Sequence, residues 1–311
     1  MNLSLIPVLF LLPALAFGQA GSSPASGTGE KPLLERGKYL ALAGNCAACH
    51  TTRGGTSYAG GRAIETPFGR VYSSNLTPDP VTGLGNWTAE DFWQAMHNGI
   101  SRDGRLLYPA FPYPNYTRVT RADSDALFAY LQSLPPVKQP NRDHALRFPF
   151  DSQLLLAAWR TVYFKPGEFT PVPSRDAAWN RGAYLVQGLG HCNACHTSRD
   201  TLGGTNLQAD LAGGVMPVSN WYASSLAQDS GTGLGDWQAK HIVDLLKTGI
   251  SARGAVYGPM AEIVYKSLQH LTDSDLQAMA TYLKSLPPAP APARQPDATV
   301  APENMEMIMT W

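Results

Sequence analysis

Apolar residues at helical spacing mark the ends of two matching segments. Behind Thr272, with Asp275 three residues on, Leu276, Met279, Ala280 and Leu283 fall on one face, which predicts an N-capped helix. Pro287 and Pro288 stop it, because the residue before a proline is pushed out of the α region. Thr120, Asp123, Leu127, Phe128, Leu131, Leu134 and Pro135 follow the same logic earlier in the chain. The stretches around Tyr39–Ala43 and Tyr184–Gln187 predict short helices leading into cysteine pairs. Trp87 to Asn98 and Trp237 to Thr248 predict middle helices ending at Gly99 and Gly249. Alternating strand patterns are scarce, and the 29 Gly and 25 Pro crowd the intervening loops. The expected class is all-α, with helices wrapped around something that fills each core.

The segments are two copies of one unit. Glu35-Arg36-Gly37-Lys38-Tyr39-Leu40 recurs as Asn180-Arg181-Gly182-Ala183-Tyr184-Leu185, and Thr82-Gly83-Leu84-Gly85-Asn86-Trp87 as Thr232-Gly233-Leu234-Gly235-Asp236-Trp237. Asn98-Gly99-Ile100-Ser101 returns as Thr248-Gly249-Ile250-Ser251, and Tyr130 to Pro136 as Tyr282 to Pro288. The spacing stays between 145 and 152 residues. The pattern divides the chain into an export signal (1–20), a flexible leader (21–32), a first domain (33–140), a bridging helix and linker (141–174), a second domain (175–289) and a tail (290–311). Within the bridge, Asp151 to Phe164 reads as a helix rich in large apolar groups. The apolar run Leu3–Phe17, followed by small residues, suits signal-peptidase cleavage after Ala16 or Ala20. It implies a periplasmic protein.

Composition narrows the partners. Of the 311 residues 44% are hydrophobic and only 15% charged, which supports packed cores rather than a disordered chain. With 24 basic and 24 acidic residues the net charge is zero, so nothing points to nucleic acid, and a partner docking by apolar contact fits better.

All four cysteines lie in two motifs, Cys46-Ala47-Ala48-Cys49-His50 and Cys192-Asn193-Ala194-Cys195-His196. Two thiols at this spacing add across the two vinyl groups of one haem, and the histidine sits under the iron as proximal ligand. Two covalently attached haems of c type follow, one per copy. Zinc ligation, a redox dithiol and plain disulfides also use cysteines, but none requires a histidine after each pair. In the second copy Met260, 64 residues after His196 and placed in a loop, is the candidate distal iron ligand. In the first copy the matching residue is Phe111, which cannot bind iron. Its distal ligand is therefore open: Met96 reads as core, His97 as a helix-end histidine, Tyr108, Tyr113 and Tyr116 as weaker candidates, and Met305, Met307 and Met309 as residues able to reach back from the tail. Trp87 and Trp237, with Arg70, Tyr72 and Asn75, are candidates to contact propionates. Gly37 and Gly182 would let the first helix cross the last closely. His191 is expected to face solvent; His144, His241 and His270 read as structural.

These motifs sit in longer strings: Arg36-Gly37 with Tyr39-Leu40, Thr66-Pro67-Phe68-Gly69, Ser74-Asn75-Leu76-Thr77-Pro78-Asp79, Leu107-Tyr108-Pro109-Ala110, Trp179 to Leu185, Gly188 to Cys192 and Gly258-Pro259-Met260. Over roughly residues 33–288 the sequence resembles the cytochrome c subunits of membrane-bound bacterial dehydrogenases for alcohol, gluconate, sorbitol and fructose. It also resembles the cytochrome partners of molybdenum-containing aldehyde-type hydroxylases, whose branch the Phe111 form is closer to. The resemblance implies tandem cytochrome c domains in the periplasm, peripheral to the inner membrane. Electrons would pass from a dehydrogenase catalytic subunit toward quinone or a terminal oxidase. Many relatives carry a third haem domain. No third motif is present here, so a role needing that haem, direct quinone reduction included, is not expected. The alternative function is a haem enzyme or a gas- or peroxide-binding protein using an open first haem.

Overall fold

A computed structural model describes residues 30–290 other than 217 and 220. The expected export signal and most of the leader and tail, with Met305, Met307 and Met309, lie outside the described residues. Eleven α-helices are described: α1 (Glu30–Ala43), α2 (Cys46–His50), α3 (Ala89–Trp93), α4 (Tyr113–Tyr116), α5 (Arg121–Gln132), α6 (Gln153–Tyr163), α7 (Ala177–Tyr184), α8 (Asn193–His196), α9 (Ala239–Thr248), α10 (Gly258–Lys266) and α11 (Asp273–Lys284). None is long and apolar enough to cross a membrane. The first helix of each unit packs across the last, α1 on α5 and α7 on α11. Gly37 and Gly182 sit at the crossings, where a side-chain carbon would overlap the carbonyl of Ala126 or Ala278. The glycines are therefore what allow the close approach.

Thr120 and Thr272 cap α5 and α11, each accepting the N–H of the aspartate three residues on. Neither aspartate returns the bond, because both carboxylates are used elsewhere. The middle helices stop at Gly99 and Gly249, whose φ values of 60° and 77° favour glycine. Four elements differ from expectation. The short helix at Tyr39–Ala43 is the end of the longer α1, since Glu30 to Gly37 continue it. The first middle helix turns into a π-turn over Gln94–Asn98, and α7 runs into another over Leu185–Leu189. Met260 lies in the first turn of α10 rather than in a loop; Pro259, with its fixed φ, sits where a helix begins.

Three small antiparallel sheets add to the helical frame. Strands β1 (Ala63–Thr66), β2 (Gly69–Tyr72) and β3 (Ala145–Leu146) form one. Strands β4 (Gly214–Val215) and β5 (Tyr222–Ala223) form the second, and β6 (Ile250–Ser251) and β7 (Gly254–Ala255) the third. They are too short to show alternation in sequence, so the fold is predominantly helical rather than purely so. Because β3 pairs with β2, residues 145–146 of the bridge complete the first unit's sheet.

The two units share one core and meet through reciprocal contacts. Within each unit an arginine of the first helix pairs with the aspartate of the last, Arg36 with Asp123 and Arg181 with Asp275. Across the boundary, the Tyr39 hydroxyl donates to Asp275 at 2.6 Å and accepts the backbone N–H of Thr272. Its counterpart Tyr184 donates to Asp123 at 2.6 Å and accepts the backbone N–H of Thr120. A second pair repeats the exchange: the Ser267 hydroxyl donates to the Leu42 carbonyl, and the Asn115 amide to the Gln187 carbonyl. Each contact has a partner in which the units trade roles. An approximate two-fold arrangement has this property, as in a symmetric dimer joined into one chain.

Candidate haem sites

One continuous cavity of about 2440 Å³ runs between the units and is lined by both Cys-x-x-Cys-His motifs. It exceeds twice the upper end of ordinary single-ligand pockets, about 1,000 Å³. The four cysteines are unpaired and line it. Burial pushes the Cys46 and Cys192 thiols up to about 12, and those of Cys49 and Cys195 upward too. A redox dithiol needs a depressed thiol pKa, so these surroundings oppose that reading. Among the described residues no group of three or more His, Cys, Asp and Glu gathers as metal-holding side chains, which opposes a shared zinc site.

The two histidines are held alike. His50 Nδ1 lies 2.7 Å from the Ser74 carbonyl, and His196 Nδ1 lies 2.7 Å from the Ser224 carbonyl. A carbonyl only accepts, so Nδ1 carries the proton and Nε2 keeps its lone pair. Burial lowers both pKa values, which keeps the rings neutral at pH 7. Backbone bonds from Gly60 to the His50 carbonyl and from Gly213 to the His196 carbonyl, both 2.8 Å, brace the motif ends. Unpaired thiols, neutral histidines with a free Nε2 and an apolar cavity wall fit two covalent haems.

Met260 lines the cavity in the second unit, and Phe111 lines it in the first, its ring 5.3 Å from that of Tyr116. Met96 is buried and also reaches the wall, at the π-turn. His97 stacks on Trp93 at 4.4 Å and lies off the cavity. Tyr108 donates to the Asp151 carbonyl and Tyr116 to the Gly44 carbonyl, while Tyr113 is fully buried beside Phe164. Trp87 and Trp237 line the cavity.

The polar surround departs from expectation in several places. Asn75 spends its side chain on its own loop and on the segment after α5, accepting from Thr77 and donating to Thr82 and the Val137 carbonyl. Arg70 pairs with Glu65 on the sheet. Tyr72 does line the cavity, beneath the Arg142 guanidinium at 3.9 Å. His191 does not face solvent: its ring lies 5.5 Å from Tyr116 of the other unit, and burial lowers its pKa. His144 accepts the Tyr72 backbone N–H through Nδ1, so its Nε2 is left as a donor at the cavity wall. Arg62, Arg142 and Arg199 are cavity-lining cations that the sequence reading missed. Arg62 and Arg142 lie outside the matching strings, and Arg199 matches Arg53, which does not line the cavity, so the repeat does not single them out.

The family model for cytochrome c matches residues 34–135 and again residues 180–287. The chain belongs to the cytochrome c family. It is 44% identical over 292 residues to a nicotinate dehydrogenase subunit from Pseudomonas putida, covering 92% of this chain and 24% of that protein. It is 42% identical over 290 residues to the cytochrome c subunit of a quinone alcohol dehydrogenase from Gluconacetobacter polyoxogenes, covering 90% and 61%. A dihaem c-type cytochrome from Cereibacter sphaeroides is 35% identical over 271 residues, with 84% and 87% covered. The chain thus spans less than two thirds of those dehydrogenase subunits and most of the dihaem cytochrome. Cytochromes c bind haem covalently, and the second match places this cytochrome's cysteines in two separate family segments.

Proposed function

We propose that this cytochrome is a periplasmic dihaem electron carrier serving a dehydrogenase. Cys46 and Cys49 would hold one haem and Cys192 and Cys195 the other, with His50 and His196 as proximal ligands and Met260 as distal ligand of the second. Bound haem supplies a one-electron Fe(III)/Fe(II) couple without making or breaking bonds. The observation that carries the reading is the duplicated geometry: two motifs in one cavity, each histidine locked through Nδ1 to a serine carbonyl. The relatives' names support a dehydrogenase catalytic subunit as donor, and quinone or an oxidase would accept electrons downstream. Zero net charge and exposed Phe148, Leu154 and Val162 on and beside α6 suit docking by apolar contact.

Phe111 favours a second reading, in which the first haem is open and binds a small ligand. Tyr116 packs beside it with its hydroxyl engaged by the Gly44 carbonyl, and His144, whose ring lies 5.5 Å from that of Tyr108, is the titratable side chain on that stretch of wall with a free ring nitrogen. A haem count with optical spectra in both oxidation states tests both readings. Two attached haems with one methionine–iron signature are expected. A single haem would overturn the dihaem carrier, and two methionine signatures would overturn the open first site.

A further inference from the structure

The segment joining the two units gathers three hydrogen-bond donors on one stretch of the first unit's cavity wall. Arg142 and His144 belong to this bridge, just ahead of β3, the strand that completes the first unit's sheet. The Arg142 guanidinium lies over the Tyr72 ring at 3.9 Å and donates through Nη2 to the Tyr72 hydroxyl at 3.2 Å. That hydroxyl accepts from arginine and so keeps its own proton to donate. His144 accepts the Tyr72 backbone N–H at Nδ1, which leaves Nε2 as a donor without a partner among the described residues. All three side chains line the cavity.

The repeat holds no second copy of this arrangement. By the spacing that aligns Ser74 with Ser224, Tyr72 aligns with Tyr222. Tyr72 is 8% exposed under Arg142, whereas Tyr222 is 61% exposed, and its sheet has two strands instead of three. Within the first unit, His144 touches both walls of the site. Its Nδ1 holds the end of β2, two residues before Ser74, whose carbonyl fixes His50. Its ring lies 5.5 Å from that of Tyr108, three residues before Phe111. A side chain in contact with the histidine-bearing wall and with the Phe111 loop stands at the edge of the slot between them.

The edge of a c-type haem away from its thioether bonds carries two propionate carboxylates. In an apolar cavity a carboxylate is costly unless donors meet it, and a guanidinium meets it best. Two other arginines on the first unit's wall are already engaged: Arg62 by the Ala48 carbonyl and Glu262, and Arg105 by Asp103. Arg142 makes no salt bridge among the described residues, with adjacent Asp143 or any other, so its remaining N–H groups are available. We propose that Arg142, His144 and Tyr72 form a propionate clasp at the Cys46–Cys49 centre, with no counterpart at the Cys192–Cys195 centre: the bridge closes over the carboxylate edge of the first haem alone. This rests on the dihaem reading.

The test is redox-difference infrared spectroscopy of the haem-loaded protein, reading the propionate carboxylate bands across each centre's redox step, with the methionine–iron band marking the second centre. Haem staining of the wild type comes first, since its failure would sink the dihaem reading alone. A histidine that accepts at Nδ1 is neutral, so H144L removes a donor without changing charge. It is expected to shift the first centre's propionate band and to leave the second's in place. H144Q, which can accept from Tyr72 and still donate, is expected to keep the wild-type band. R142Q is expected to shift the same band as H144L, and it decides should H144L fail to retain its haem. It should also lower the first centre's reduced-to-oxidised ratio about threefold at fixed poise, because a carboxylate freed of its cation favours the oxidised iron. Acetate added to the wild type is expected to leave the band in place. The proposal is overturned if H144L and R142Q leave the first centre's band where it was, if they move the second centre's as far, or if H144Q shifts as far as H144L. A wild-type band that moves with acetate also overturns it, since a free anion would then fill the clasp.

Discussion

At the scale of single residues, the two sites part at one position. Phe111 and Met260 occupy matching places on the cavity wall, yet only the thioether can ligate iron. Replacing Phe111 by Met is expected to add a second methionine–iron band to the oxidised spectrum and to raise the first centre's potential. Met260→Leu should leave two haems attached and remove the band present in the wild type. Both outcomes are read by optical spectroscopy of the purified variants. The cysteines, histidines and this difference were legible in the sequence, because covalent attachment demands a fixed local spacing. Arg62 and Arg142 were not, because loop geometry brings them to the cavity from outside the motifs, and Arg199, three residues after His196, was not because its match Arg53 does not reach the cavity. The misread His191 shows the same thing. Nothing local says that the neighbouring unit covers it, and the Tyr116 ring does so only after the units dock.

At the scale of elements, the crossing of first and last helices depends on two glycines. Gly37→Ala or Gly182→Ala puts a methyl into a backbone carbonyl, which cannot move out of the way as a flexible side chain would. Each is expected to destabilise the protein by about 3 kcal/mol through overpacking, measured by urea unfolding at neutral pH. Removing a cap is milder: Thr120→Ala or Thr272→Ala should cost about 1 kcal/mol. Apolar periodicity and the proline stops found α5 and α11 because both signals lie within one turn of the helix ends. The start of α1 was missed because Glu30 to Arg36 carry few apolar residues, and their helix is held by packing of its later turns on α5. Strands of two residues, such as β3, exist only because tertiary structure brings a partner alongside.

At the scale of the molecule, the repeat folds as an internally paired unit. Tyr39 and Tyr184 each reach a buried or half-buried aspartate of the other copy. Losing either hydroxyl is expected to cost about 2 kcal/mol, since a hydrogen bond to a charged partner is removed. The double variant Y39F/Y184F should lose more stability than either single variant in the same urea unfolding. The interface also carries a pH dependence. Burial works against the charge of Asp275, but the Arg181 guanidinium and the Tyr39 hydroxyl outweigh it and hold the carboxyl below its usual range. A depressed carboxylate contributes stability that is complete above its unfolded pKa, about 3.9, and is lost as pH falls through the folded value. Acid unfolding below about pH 4 should therefore weaken this contact, and Asp275→Asn should flatten that part of the pH–stability curve.

Residue type and short spacing were enough to find the two Cys-x-x-Cys-His motifs, the duplication and the difference between Phe111 and Met260, because each is a local pattern. Three further facts emerged only from the folded chain. The two motifs open into one cavity, the copies exchange tyrosine contacts across an approximate two-fold, and arginines from non-equivalent positions donate to equivalent carbonyls, Arg62 to that of Ala48 and Arg199 to that of Ala194. Those facts depend on which surfaces meet when the helices pack, and packing is set by the whole chain at once.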